Sequence, residues 1–133
     1  MTSNREASQR YAVELLELAK RDLVAFTVLL KSPEVDFSIV GFHAQQTVEK
    51  CMKAVLAHHG FSFPFTHDLN GLYLLLTDVP ITMPFSNKDL KRLTPYAVSS
   101  RYDLERDEIL DAEQSSVLVA QAMTWATAFI HSQ

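Results

Sequence analysis

The 133-residue chain has one cysteine, three glycines, five prolines and no excess of positive charge. A single cysteine closes no internal disulfide, so nothing points to an oxidising compartment. So few glycines and prolines leave too little turn chemistry for an all-β sandwich of this size. No apolar run approaches the roughly 20 residues that span a bilayer. The polar start, Met1 to Arg10, lacks the apolar core of a signal peptide. A cytoplasmic protein without a membrane partner is the expectation. A formal net charge of −4 argues against indiscriminate binding to nucleic acid, and no DNA partner is expected. There is no glycine-rich phosphate loop, no Gly-x-Ser-x-Gly and no Cys/His spacing of a zinc site. Neither a metal nor a cofactor is expected.

What the chain does have is apolar residues at helical spacing. Hydrophobic residues are 47% and charged residues 21%, the composition of one globular domain over residues 1–133. Residues 5–31 read as a long helix, with Ala12, Leu16, Ala19, Leu23, Phe26 and Leu30 in one stripe. Ser32-Pro33 ends it. Asp36 or Ser38 caps a second helix that buries Ala44, Val48, Cys51 and Val55 and stops at Gly60. Thr66 or Asp68 caps a short helix carrying Leu69, Leu72, Leu75 and Leu76. Val79 to Phe85 reads as a loop, and Ser86 with Asp89 as a capping-box variant. The next helix carries Leu90, Leu93 and Ala97, and Pro95 kinks it or ends it early. The last runs from about Asp111 to His131, with Leu118, Ala122, Trp125 and Phe129 buried. The fold expected is all-α, an up-and-down antiparallel bundle of about five helices, a four-helix core plus a short helix.

The second helix also has a polar face. His43, Gln46, Lys50 and Lys53 recur at i, i+3, i+7 and i+10 and fall in one sector, with Gln45 and Glu49 beside it. A solvated helix face accounts for such a stripe. An anion or nucleotide site accounts for it too, with lysines supplying charge and His and Gln supplying directional hydrogen bonds. In Thr66-His67-Asp68-Leu69, Thr66 and Asp68 suit a helix N-cap, whereas His67 does not. Arg101-Tyr102 reads either as an ion pair with a packed tyrosine or as a phosphate clamp with a stacking ring. His58-His59 closes the second helix. Adjacent side chains diverge by about 100° and make a poor chelating pair. Cys51 lies on the apolar face and reads as a structural thiol.

The charge is uneven. Asp103, Glu105, Asp107, Glu108, Asp111 and Glu113 surround one base, Arg106, so that residues 103–113 carry −5. Residues 1–102 hold eleven bases and ten acids. The second helix keeps a cationic face whose one acid is Glu49.

Phe42-His43-Ala44-Gln45-Gln46, Glu49-Lys50 and Lys53-Ala54, then Gly60, Pro64, Thr66-His67-Asp68-Leu69, Leu93-Thr94-Pro95-Tyr96-Ala97-Val98 and Arg101-Tyr102 form one ordered set of motifs. In order and spacing, from about Leu15 to Ala128, this set resembles the HEPN domain family (higher eukaryotes and prokaryotes nucleotide-binding). The resemblance implies an up-and-down helical bundle, usually homodimeric. It implies a partner, a minimal nucleotidyltransferase, in a toxin–antitoxin-like pair. It also implies nucleotide or RNA as ligand. Many members are metal-independent ribonucleases with an Arg-x(4–6)-His motif, in which His performs acid–base chemistry and Arg stabilises phosphate charge. Here no arginine is followed by histidine at that spacing. After Arg101 that window holds Arg106, Asp107 and Glu108. The expectation is therefore a non-catalytic binding module, with ligand residues His43, Gln46, Lys50, Lys53, His67, Asp68, Arg101 and Tyr102. The alternative is a ribonuclease with a relocated site drawn from His43, His67 and Arg101.

Overall fold

A computed structural model describes residues 4–97 and 110–131. Its helices are α1 (Asn4–Leu30), α2 (Phe37–His58), α3 (Leu69–Leu76), α4 (Asn87–Leu93) and α5 (Ala112–His131), with a 3₁₀ turn at Thr94–Ala97. The described residues form no strand. Arg101 and Tyr102, and Asp103 to Glu108 of the acidic stretch, lie outside them.

Local chemistry sets most boundaries. Asp36 caps α2 by accepting from the Ser38 amide at 2.8 Å. Gly60, at φ +76°, supplies the left-handed residue beyond the end of α2. Asp68 caps α3 through the Asn70 amide, and the Thr66 hydroxyl accepts from the Asp68 amide. Ser86 caps α4 through the Asp89 amide. Asp111 and Gln114 cap α5 reciprocally, each side chain accepting from the other's amide. Pro95 has no amide to continue α4, which ends at Leu93 and tightens into the 3₁₀ turn.

α2 is the central element. It packs along α1 and α5 and touches α3 and the 3₁₀ turn. Ala44, Val48, Cys51 and Val55 are fully buried, as the 4-3-4 spacing predicts. On α1 the buried set is Ala12, Leu15, Leu16, Ala19 and Phe26. On α5 the stripe is rotated from the expected one. Ser115, Leu118, Val119, Ala122, Met123, Ala126 and Ile130 are buried, whereas Trp125 and Phe129 sit at its margin. Trp125 spends its indole N–H on the Thr82 carbonyl at 3.1 Å and stands edge-on to Phe85. It thus holds the 79–85 loop, a task for an amphipathic ring at a core edge.

Several contacts tie the start of α5 to α4 and the 3₁₀ turn, among them Arg92 Nη2 donating to Gln114 Oε1 at 3.2 Å. The Leu110 amide donates to the Arg92 carbonyl at 3.2 Å. The Tyr96 hydroxyl donates to the Leu110 carbonyl at 2.8 Å. The Tyr96 ring lies flat against Gly41 of α2, where a Cβ would come within 2.5 Å of it.

Candidate functional site

A helix buried on nearly every side must satisfy its polar groups internally. α2 buries Gln45, Gln46, Glu49 and Lys53, and Glu49 is only 3% exposed. The polar stripe is therefore turned inward, and the solvated-face reading is corrected.

Glu49 is the hub of this network. Its Oε1 accepts from His67 Nδ1 at 2.8 Å and from Gln45 Nε2 at 3.1 Å. Its Oε2 accepts from Lys53 Nζ at 3.0 Å. Gln45 Nε2 also donates to the His67 carbonyl at 3.0 Å, and Gln46 Nε2 donates to Gln45 Oε1 at 2.7 Å. The loop before α3 is thus fastened to the middle of α2 through both the backbone and the ring of His67. Charge-assisted bonds of this kind are shorter and stronger than neutral ones. A carboxylate only accepts, so Nδ1 of His67 carries a proton and Nε2 is the nitrogen left for a partner. The His67 side chain is about half exposed.

A second cluster joins α1 to α2. Asp22 accepts from His43 Nδ1 at 3.0 Å through one oxygen and pairs with the Lys50 ammonium through the other. The face expected to be cationic is thus balanced. Lys50 is matched by Asp22, and Lys53 by Glu49. Asp22 is a site residue the sequence reasoning missed. It carried a signal, because it lies three residues after Ala19 and four before Phe26, on the buried side of α1.

Between the two clusters opens a cleft of about 250 Å³, lined by Tyr11, Leu15, Glu49, Lys50, Lys53, Phe63, Pro64 and Phe65. Tyr11 stacks on Phe63, with ring centroids 6.3 Å apart. The Lys53 ammonium sits 5.7 Å from the Phe63 centroid and 5.9 Å from that of Phe65, both within cation–π range. Phe65 is 97% exposed and stands edge-on to His67. The apolar Phe61-to-Phe65 connection is thus an aromatic rim, a role its composition alone did not distinguish from ordinary packing.

Of the expected ligand residues, Lys50 and Lys53 line the cleft, and His67 meets it through Phe65 and Glu49. Gln46 is buried within the network, and His43 stands on the α1 side with Asp22. Asp68 serves as the α3 cap. Cys51 is buried, with its thiol pushed up to about 12 by desolvation. Among the described residues, no three His, Cys, Asp or Glu side chains are placed to share a metal ion. No described helix is long and apolar enough to cross a membrane.

The all-α bundle is the arrangement its motifs imply, and the buried Gln45-Gln46-Glu49-Lys53 face latched to His67 is what the structure adds. A family profile for the HEPN domain matches residues 12–128, and the chain belongs to that family. No curated protein and no solved structure matches it significantly. Membership supports a module of nucleotide-binding or ribonuclease type.

Proposed function

We propose that this HEPN chain is a non-catalytic binding module that takes a nucleotide-type ligand in the α2 cleft. It would act as a homodimer with a minimal nucleotidyltransferase, in a toxin–antitoxin-like pair. One observation carries the ligand reading: two lysines and three aromatic rings converge on one cleft, and buried Glu49 fixes the inner lysine. Phe65 and Tyr11 offer π-faces to a base. Lys50, Lys53 and His67 Nε2 offer charge and donors to phosphate. Arg101 and Tyr102 belong to the proposed ligand set on the strength of the family resemblance. The dimer reading draws support from Val24, Val28, Ile39 and Phe42, all exposed in the half of the α1–α2 hairpin next to its turn.

Calorimetric titration with nucleotides tests the site. Phe65→Ala removes an exposed ring without touching the core and should weaken binding about tenfold, the size of one base–aromatic stack. Unchanged affinity, or no binding by the parent protein, would reject it. Pull-down with the product of a neighbouring nucleotidyltransferase gene tests the pairing, and light scattering tests the dimer.

The Glu49–His67 pair favours one second reading, a metal-independent ribonuclease. A buried carboxylate that holds Nδ1 and leaves Nε2 exposed is the geometry of an oriented general base. Purified protein would then cleave RNA in the presence of a chelator, and His67→Ala would abolish this. RNA left intact at high protein concentration excludes it.

A further inference from the structure

The inward stripe of α1 from Ala12 onward is apolar except for Asp22, but its first two turns are polar. Arg5, Ser8 and Gln9 precede Ala12 at helical spacing and face a second cavity. This cavity has a volume of about 490 Å³ and lies at the end of the bundle, away from the α2 cleft. Asn4, Arg5, Ser8 and Gln9 of α1 form one wall, and His58, His59 and Gly60 at the end of α2 form the other. Phe129 of α5 closes the back. Its ring lies 5.3 Å from that of His58 and 4.5 Å from that of His59.

The polar groups here are under-used. Among the described residues Arg5 makes no ion pair. His58 Nδ1 is buried with no hydrogen-bond partner, the kind of group native structures normally satisfy. His59 donates Nδ1–H to the Val55 carbonyl at 3.0 Å, which fixes its ring and leaves Nε2 for another partner. No Asp or Glu lines the cavity.

We propose that this end cavity binds a phosphomonoester-type anion, with Arg5 as the bidentate clamp and His58 and His59 as hydrogen-bond donors. The site is separate from the α2 cleft and does not depend on the function proposed for it. His58 takes up a proton more readily as the anion arrives, so affinity rises as pH falls. Among the described residues near the two imidazoles, α1 presents Arg5, with Glu6 next in sequence but off the lining; α2 presents the two histidines; α5 presents Phe129, with His131 two residues beyond. Burial, His59 and Arg5 all hold the His58 pKa below its ordinary 6.5. An anion reverses the effect of the two cations.

The test follows the imidazole resonances of the full chain by NMR at about pH 6, with inorganic phosphate in one arm and adenosine 5′-monophosphate in another. Both probes should shift His58 and His59 and raise the apparent pKa of His58, and any shift of His67 reports the α2 cleft separately. Arg5→Gln, at an exposed first-turn position, should weaken binding about tenfold, whereas Phe65→Ala should leave this site unchanged. Equal affinity for the two probes assigns recognition to the phosphate group alone. Tighter nucleotide binding assigns part of it to the Phe129 wall. His58 and His59 titration curves that are identical with and without both probes would overturn the proposal, as would undiminished binding by Arg5→Gln.

Discussion

Replacing Glu49 by glutamine keeps the shape of the side chain and removes one acceptor. The three donors on Oε1, His67 Nδ1, Gln45 Nε2 and Gln46 Nε2, need an oxygen. The amide carbonyl therefore takes that side, and the amide nitrogen faces the Lys53 ammonium, which sits 3.0 Å from Oε2 in the parent. Donor then opposes donor, and an ammonium whose side chain is 11% exposed loses its counter-ion. Removing one partner of a buried pair costs about 3–5 kcal/mol. The Phe63 and Phe65 rings still face the ammonium and offset part of that loss, so about 3 kcal/mol is expected. Urea unfolding followed by far-UV circular dichroism should show the midpoint falling by at least about 1 M. Glu49→Gln/Lys53→Met removes the stranded charge and should recover at least about 1 kcal/mol, a coupling that a double-mutant cycle measures. A Glu49→Gln loss within the roughly 0.5 kcal/mol of an ordinary surface substitution would refute the reasoning. So would a double variant no more stable than the single one.

Gly41→Ala should destabilise the fold by about 1–3 kcal/mol, read by thermal unfolding, because the new methyl would overlap the Tyr96 ring at 2.5 Å and disturb its bond to Leu110. The pKa of His58 is lower folded than unfolded, so the unfolded chain binds its proton more readily. The contribution of His58 is complete above about pH 6.5 and is lost as pH falls through the range below that value, and His58→Asn should flatten this part of a urea-midpoint profile. Cys51, buried and with its thiol raised to about 12, should resist iodoacetamide in the native protein and react only as the chain unfolds.

The helices were legible in the sequence because their signals are local. Asp36, Asp68, Ser86 and Gly60 each act on amides or dihedrals within a few residues, and the apolar stripes of α1 and α2 need only helical spacing. What stayed hidden depends on distant partners. Glu49 looked like a neighbour of the polar stripe and is its centre, because His67 arrives from 18 residues away. Lys50 looked like free charge until Asp22 met it from the preceding helix. On α5 the choice between Val119–Met123–Ala126 and Trp125–Phe129 as the buried face turned on where α2 lies, which periodicity alone does not fix.

The two inward-facing polar stretches differ in how far the fold satisfies them. On α2, Asp22 and Glu49 balance Lys50 and Lys53 charge for charge. A ligand there meets lysines whose charge is already matched, so it gains their remaining N–H donors and the rings of Phe65 and Tyr11 more than net charge. Such a cleft favours ring recognition over bare charge, and its affinity should depend only weakly on salt. At the bundle end Arg5 and two histidines face a cavity with no acid on its walls. Among the described residues Arg5 has no ion pair for an anion to displace. Binding there should weaken as salt rises and as pH rises. The overall charge of −4 therefore conceals two local balances, one closed within the protein and one open to a ligand.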